Sequence, residues 1–183
     1  MVNPSVWGSF AWGFLHPLFH YNKTNKCYQQ MLQFLFYQEL QRILPCKRCR
    51  DCFIENRADT LKRHGNTIPL NIHLFHIHNS VNKAHKKRVM TLAEYNRKYD
   101  NETLNMKNFY HFILILADAI DKKKTSVSRE EFINFFITCI ELIRLYYIEK
   151  KIKFNFEPCI DMLKTSNKLT TVLKTVCNPG RHL

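Results

Sequence analysis

Glycine and proline are scarce in this chain, which limits the folds it can adopt. The 183 residues include only four glycines and six prolines, whereas phenylalanine and tyrosine are abundant. Sheet sandwiches and barrels need frequent turns, and glycine and proline build many of them. We therefore expect an all-α protein. A chain of this length forms one ordinary domain, or a small domain with an extension, but not two large domains.

Long apolar runs are also missing. None reaches the roughly 20 residues that span a bilayer, and the apolar segment 112–116 is soon followed by Asp118 and Asp121. The first residues lack the basic and apolar regions of a signal peptide. We expect a soluble chain that is made in the cytosol and has no membrane span.

Acidic residues are few: the chain has 15 of them against 28 lysines and arginines, for a net charge of +13. The segment 83–88 is a conspicuous basic patch. Such a patch can be a solvated helix end, a contact for nucleic acid, or a partner for the pyrophosphate of a bound dinucleotide. Composition alone leaves these three interpretations open.

The seven cysteines are an odd number, so at least one lies outside any intramolecular disulfide, and a secreted disulfide scaffold is not expected. Cys46 and Cys49 follow Pro45 at a predicted helix start, with the spacing of a redox disulfide. The positive end of the helix dipole favours the thiolate there. Nearby basic residues add to this effect: Lys47, Arg48 and Arg50.

A metal site is the alternative interpretation of these cysteines. Cys52 extends the pair to a C-x-x-C-x-x-C run, and a structural zinc ion takes four Cys or His ligands. A second ligand pair is not evident, although three histidines are available for recruitment: His64, His73 and His76. A thioredoxin-like protein is not indicated, because no βαβ pattern surrounds the pair.

Two further motifs flank the cysteines. Upstream the chain reads G-x-x-x-W-x-x-L-H over residues 8–16, the pair itself reads P-C-x-x-C-x-x-x-F over 45–53, and H-N-x-V-N follows over 78–82. In this order, over roughly the first hundred residues, the motifs resemble the flavin-linked sulfhydryl oxidases of the Erv/ALR family. No cysteine lies between Cys52 and Cys139, and this makes the chain most like the compact members encoded by large DNA viruses.

The resemblance implies FAD as cofactor and assigns roles to individual residues. Cys46 would exchange with the substrate dithiol and Cys49 would face the flavin, so these two are the expected catalytic residues. The expected contacts with FAD are Gly8, Trp12, His16, Cys49, Phe53, His78, Asn79, Asn82, Lys87 and Tyr99. The basic segment then serves the pyrophosphate, and nucleic acid is not an expected partner.

The implied function is an FAD-dependent thiol oxidase that forms disulfides in protein substrates and reduces O2 to H2O2. The family also implies a homodimer. The host cytoplasm and the virus particle are the expected locations for a viral member, and the mitochondrial intermembrane space is the cellular alternative. Cys177 is a candidate shuttle thiol. The alternative function is a zinc-stabilised basic helical module that binds nucleic acid or a partner protein.

Apolar periodicity predicts the helices independently of the resemblance. Four helices and a short fifth one are expected within residues 1–103, and the resemblance implies that they form an FAD-binding four-helix bundle. Residues 104–183 form a predicted helical extension that packs on the bundle or on a second copy of the chain. The predicted helices span about 4–20, 24–44, 45 to beyond 53, 69 onward, 91 onward, 106–121, 128 onward and, more weakly, 158 onward.

Overall fold

The computed structural model describes residues 2–21, 25–65, 67–148 and 157–176. All regular secondary structure in these residues is helical, which confirms the all-α prediction. The helices are α1 (Pro4–His20), α2 (Lys26–Phe34, a π-helical segment Leu35–Glu39, and Leu40–Ile43), α3 (Lys47–His64), α4 (Leu70–Ala84), α5 (Leu92–Tyr99), α6 (Met106–Asp121), α7 (Arg129–Ile148), α8 (Glu157–Thr165) and α9 (Leu169–Val176).

The helix starts follow the sequence signals. Asn3 caps α1 by accepting the N–H of Ser5 at 3.0 Å, and the predicted bounds 4–20 are confirmed. Thr91 and Glu94 form the predicted capping box of α5, in which each side chain accepts the other residue's backbone N–H. These caps satisfy N–H groups that have no partner within the helix. Local sequence therefore sets where the helices begin.

Helix α2 departs from the uninterrupted helix that periodicity predicts. Residues 22–24 lie outside the described part, and the helix begins at Lys26 behind its N-cap Asn25. Residues 35–39 are π-helical, which places one extra residue in the turn. Leu35, Phe36 and Glu39 are all buried as a result. Burial raises the pKa of the Glu39 carboxyl.

A glycine lies at the end of α3. Gly65 ends α3 with a φ of 70° and donates its N–H to the Leu61 carbonyl at 2.8 Å, a conformation that glycine adopts at little cost. Helix α3 packs against α4, and α4 packs against α1. The helix start with Cys46 and the histidines of α4 therefore lie on helices that pack against each other.

The extension packs on the first block of the same chain. Helix α6 lies along α1, and α7 lies against α2. A single buried apolar cluster includes Phe14 and Phe36 from the first block together with Phe112, Phe135 and Phe136 from the extension. Helix α9 is fixed to α6 because the Asp121 carboxylate accepts the N–H groups of residues 169 and 170. Of the two predicted arrangements, the structure shows packing within one chain.

Candidate active site at the start of the third helix

The two cysteines of the pair lie at the first turn of α3. Cys46 is the N-cap residue, and its Sγ accepts the backbone N–H of Cys49 at 3.3 Å. Cys46 is only 3% exposed, whereas Cys49 is half-buried at the edge of the main core. Both are free thiols in the structure. The pair is therefore held by the helix geometry, with Cys46 inside and Cys49 nearer the surface.

The predicted thiolate character is wrong for Cys49. Burial raises the pKa of its thiol to about 12, and a hydrogen bond with the Cys46 thiol and the proximity of Cys46 and Cys52 add to the effect. Arg50 acts in the opposite direction but is outweighed. Desolvation of the charged form exceeds the effect of the helix start and the basic neighbours. In this structure Cys49 is a neutral thiol at physiological pH.

Arg50 connects the start of α3 to neighbouring segments through hydrogen bonds. Its guanidinium donates to the Leu44 carbonyl at 2.6 Å and to the Ser126 hydroxyl, which lies just before α7. One arginine thus connects the cysteine turn both to the end of α2 and to the extension. Phe53, one turn beyond Cys49, is buried with its ring centroid 5.9 Å from that of Phe36. The cysteine turn is consequently anchored on two sides.

Trp12, His16 and His78 stack as neighbouring rings. The Trp12 and His78 rings lie 4.2 Å apart with an interplanar angle of 10°, and the His16 Nε2 lies 2.7 Å from the His78 Nδ1. Burial lowers the pKa of His78 to about 4, with further lowering by Lys98 and Lys87. Burial and His78 likewise hold the pKa of His16 well below its ordinary value. Both imidazoles are therefore neutral at pH 7.

Helix α5 places aromatic side chains beside the imidazoles. Tyr99 is buried with its ring 5.0 Å from that of His16, and the Tyr95 ring lies 5.4 Å from His16. Burial raises the pKa of Tyr99 to about 12. The Lys98 ammonium lies 5.0 Å from the Tyr99 ring centroid. Four residues predicted from separate motifs, Trp12, His16, His78 and Tyr99, therefore lie in one cluster, which we call the ring cluster.

The other residues predicted to contact FAD lie outside the ring cluster and differ in exposure and in hydrogen bonding. The Asn79 amide donates to the Met90 carbonyl at 2.7 Å and accepts the Met90 N–H at 3.0 Å. Asn79 therefore holds the segment after α4. Asn82 is half-buried, and its carbonyl accepts the N–H of Lys87, whose side chain is exposed. Gly8 is half-buried and has open space where a Cβ would project.

The ring cluster fits FAD. The Nδ1 atom of His16 is buried and has no hydrogen-bond partner among the described residues, and such an atom is costly unless a ligand or water satisfies it. The half-exposed Trp12 ring suits a flat ligand, and the exposed Lys87 and Lys98 supply positive charge near it. Trp12, His16, His78 and Tyr99 would contact the rings of the cofactor, and Lys87 its pyrophosphate.

The sequence interpretation missed a polar pair on the same side of α1. His20 Nε2 lies 2.8 Å from the Asp100 carboxylate, and the Asn71 amide lies 3.4 Å from His20 Nδ1. His20 follows His16 by four residues, so the spacing placed it on the same helix face. Asp100 follows Tyr99 directly. Helical spacing was therefore a signal that could have indicated the position of His20, but not its partner.

Cys177, the candidate shuttle thiol, lies outside the described residues. The described free cysteines are Cys27, Cys46, Cys49, Cys52 and Cys139, while Cys159 is disulfide-bonded. Within the described ranges, no group of three or more His, Cys, Asp or Glu side chains is arranged to hold a metal ion. None of the helices described has the length and apolar character needed to cross a bilayer.

Comparison with known proteins identifies the family. The model of the Erv1/Alr family matches residues 9–101, which include both cysteines of the pair and the whole ring cluster. Neither the curated proteins nor the solved structures contain a match to this chain. The matched region covers just over half of the sequence and extends from α1 to the turn after α5. The chain therefore belongs to the Erv1/Alr family of FAD-linked sulfhydryl oxidases.

Proposed function

We propose that the protein is an FAD-dependent thiol oxidase that forms disulfides in protein dithiols and reduces O2 to H2O2. The observation that carries the proposal is the Cys46 and Cys49 pair at the first turn of α3, inside the region that matches the family. Thiol and disulfide exchange needs two sulfurs that can approach each other. The Cys49 backbone N–H donates to the Cys46 Sγ at 3.3 Å, and this contact supports such an approach.

The roles of the residues follow from the family and from access. In the oxidised protein Cys46 and Cys49 form a disulfide, and a substrate thiolate attacks it to give a mixed disulfide. By family resemblance Cys46 is the exchanging sulfur and Cys49 the one nearer the flavin. FAD, when bound, takes two electrons from the pair and passes them to O2. The ring cluster holds the cofactor and excludes water from its rings.

Serine variants of the pair test this proposal. With dithiothreitol as substrate, Cys46→Ser and Cys49→Ser should each lower peroxide production by at least 100-fold while the protein keeps its visible flavin absorbance. Cys27→Ser is the matched control, because Cys27 is an exposed free thiol on α2. It should retain the wild-type rate. Turnover of Cys49→Ser at the wild-type rate would contradict the assigned chemistry.

The assembly and location are further parts of the proposal. The family supports a homodimer with protein dithiols as substrates, and we place a viral member of this kind in the host cytoplasm or the virus particle. Light scattering of the flavin-loaded protein tests the assembly. The expected mass is that of two chains. The mass of one chain at micromolar protein concentration would contradict the proposed dimer.

A further inference from the structure

The surface around the cysteine turn receives positive charge from two separate segments of the chain. On α3, Lys47 and Arg48 are exposed and Arg50 is half-buried. The extension contributes three consecutive exposed lysines, residues 122–124, between α6 and α7. Arg50 joins the two segments, because its guanidinium donates a hydrogen bond to the Ser126 hydroxyl. The extension therefore adds its charge beside the redox pair.

The length of the chain between the lysines and Ser126 keeps them close to this contact. Lys124 and Lys123 precede Ser126 by two and three residues. Since an extended chain spans at most about 3.6 Å per residue, their Cα atoms lie within about 7 and 11 Å of the Ser126 Cα. Arg48 lies in the same helical turn as Arg50. We call Arg48, Lys123 and Lys124 the cationic rim.

Nearby carboxylates neutralise the cationic rim only in part. Asp51 is paired with Lys47 at 2.8 Å, and Asp118 is paired with Lys122 at 2.8 Å. Glu130 is exposed in the first turn of α7 and offsets one positive charge. Within the described residues, none of the three cations of the rim forms an ion pair. The rim therefore keeps a net positive charge.

Lys123 has a backbone conformation that usually belongs to glycine. Its φ is 52°. Its N–H donates to the Ile120 carbonyl at 2.9 Å, and the Lys124 N–H donates to the Ala119 carbonyl at 2.8 Å. These hydrogen bonds end α6 in the way that a glycine normally completes. A side chain in this conformation is strained, and such strain is a reason to look for a function of that side chain.

We propose that the cationic rim selects protein substrates in which acidic residues lie close to the dithiol. This inference rests on the proposed oxidase function and gives the segment between α6 and α7 a part in substrate recognition. Opposite charges steer an encounter and raise its rate. Because the Debye length is about 8 Å at physiological ionic strength, the selection acts on acidic residues near the substrate cysteines.

An acidic peptide fits this surface better than a nucleic acid does. Phosphates carry the same sign of charge as carboxylates. The rim, however, borders a pair of thiols whose reaction partner is another thiol, and proteins supply thiols. The position of the charge beside the redox pair therefore favours a protein substrate.

Peptide substrates of different charge test the selection. Three peptides share one Cys-x-x-Cys dithiol, and their flanking residues are all Glu, all Ser or all Lys. At about 20 mM NaCl the flavin-loaded protein should show a kcat/KM about tenfold or more higher for the acidic than for the basic peptide. The ratio should fall below about threefold at about 300 mM NaCl. Equal kcat/KM for all three peptides at low salt would overturn the proposal.

A charge-reversal variant tests whether the rim causes the selection. Lys123→Glu/Lys124→Glu should lower kcat/KM for the acidic peptide by about fivefold or more, mainly through KM, and raise it for the basic peptide. The control is Lys26→Glu/Lys62→Glu, which changes the net charge equally at exposed residues. These lie at the start of α2 and the end of α3, far from the cysteine turn. Equal effects of the two double variants would overturn the role of the rim.

Lys123→Gly separates recognition from folding. Glycine adopts a left-handed φ at little cost, so this variant should unfold at a higher denaturant concentration than the wild-type protein. Its kcat/KM for the acidic peptide should nevertheless be about twofold or more lower. A variant that is more stable and equally selective would contradict the role of Lys123.

Direct binding distinguishes failure of this inference from failure of the oxidase function. The acidic and basic peptides are made with serine in place of both cysteines and with a neutral dye, and fluorescence anisotropy needs neither flavin nor oxygen. The acidic peptide should bind the wild-type protein about fivefold or more tightly than the basic one. Lys123→Glu/Lys124→Glu should remove this difference. Selective binding by a protein that makes no peroxide would retain the rim and refute the oxidase function.

The same binding measurement tests the competing ligand. A single-stranded oligonucleotide is added at about 150 mM NaCl, where binding through phosphates alone is weakened. The acidic peptide should bind more tightly than the oligonucleotide. Tighter binding of the oligonucleotide, lost in Lys123→Glu/Lys124→Glu, would assign the surface to nucleic acid and overturn the proposal.

Discussion

Cys46 and Cys49 differ in access to solvent although they lie in the same helical turn. The sequence predicts a thiolate at the helix start, because the dipole and three basic residues favour negative charge. The structure buries Cys46 and raises the pKa of Cys49 through desolvation. Sequence shows which charges are near a thiol along the chain, but burial depends on side chains brought from elsewhere. This is why the position of the pair was predictable and the neutral state of the Cys49 thiol was not.

The pH dependence of stability tests the neutral imidazoles. The pKa of His78 is lowered to about 4 in the folded protein, against about 6.5 in an unfolded chain. Between these values the unfolded chain binds more protons, so the free energy of unfolding falls as pH falls from 6.5 towards 4. We expect a loss of about 1–2 kcal/mol between pH 7 and pH 5 from His78. Urea unfolding at several pH values measures it.

A histidine variant provides the control for this pH dependence. His78→Gln should reduce the slope without abolishing it, because burial still lowers the pKa of His16. His85→Gln, at an exposed residue beyond α4, should leave the wild-type slope. A stability that stays constant from pH 7 to pH 5 in the wild-type protein would show that His78 is not held neutral by burial.

The ring cluster shows what spacing can and cannot predict. Trp12 and His16 share a face of α1, and the H-N-x-V-N motif supplies His78, so all three were identified as contacts of one ligand. The contact of the His16 ring with the Tyr99 ring follows only from the packing of α5 near α1. The Asn79 amide was assigned to the nucleotide, yet it is bonded to the Met90 backbone. A polar residue within a binding motif can therefore stabilise a neighbouring loop and need not contact the ligand.

Helix α2 shows a feature of secondary structure that apolar periodicity does not predict. The spacing of its apolar residues fits a regular α-helix, so the spacing does not reveal the π-helical segment. The signal that was available is the buried Glu39, a carboxylate on an otherwise apolar face. The caps of α1, α5 and α7 were predictable, because a cap depends on residues within one turn. The π-helical segment packs against α7, a contact that lies far away in sequence.

The contact of α1 with α6 gives a prediction for a pair of glycines. A Cβ at Gly13 would lie 2.4 Å from the Asn108 side-chain nitrogen, whereas one at Gly8 would meet no atom within 4 Å. Gly13→Val should therefore lower the free energy of unfolding by about 1–3 kcal/mol. Gly8→Ala should leave it unchanged or raise it by about 0.5–1 kcal/mol. Chemical denaturation measures both.

A second substitution identifies the cause of that loss. Asn108→Ala removes the side chain that Gly13→Val would strike, so the double variant should recover part of the stability lost by Gly13→Val alone. Equal stability of the Gly13→Val and Gly8→Ala variants would contradict the close approach of α1 and α6.

The capping box of α5 connects helix stability to cofactor binding. Thr91→Ala removes a side chain that accepts the Glu94 N–H at 3.2 Å and should cost about 0.5–2 kcal/mol. Because α5 carries Tyr99 against His16, flavin should also bind more weakly, as measured by the fluorescence of released flavin. Thr175→Ala is the control, since Thr175 is exposed on α9 and bonds only to its own helix. Unchanged flavin affinity in Thr91→Ala would show that the stability of α5 does not affect cofactor binding.

The described part of the chain has a main core that extends across both sequence blocks. The helical type and eight of the nine helices described were predictable from periodicity, but the division of the stretch after residue 158 into α8 and α9 was not. Whether the extension packs on its own bundle or on a second copy was not predictable either. The extension presents the same apolar faces whether it packs on its own bundle or on that of a second copy. Only the detailed packing of the side chains distinguishes the two arrangements. The shared cluster of Phe14, Phe36, Phe112 and Phe135 establishes packing within the chain.

Cooperative unfolding follows from this shared core. Phe135 lies in the extension and is fully buried, so Phe135→Ala should cost about 3–5 kcal/mol. Helix loss by circular dichroism and flavin release should then occur together at a lower temperature. Met162→Ala is the control, because Met162 is 42% exposed on α8. Flavin release at the wild-type temperature in Phe135→Ala would show that the first block unfolds independently.

An anaerobic titration tests the oxidase assignment most directly. Purified protein supplied with FAD is titrated with dithiothreitol without oxygen, and air is then admitted while peroxide is measured. The account predicts visible flavin bands that bleach with dithiol and return with oxygen, with one H2O2 formed per dithiol oxidised. A protein that binds no flavin, or flavin bands that dithiol does not bleach, would contradict it.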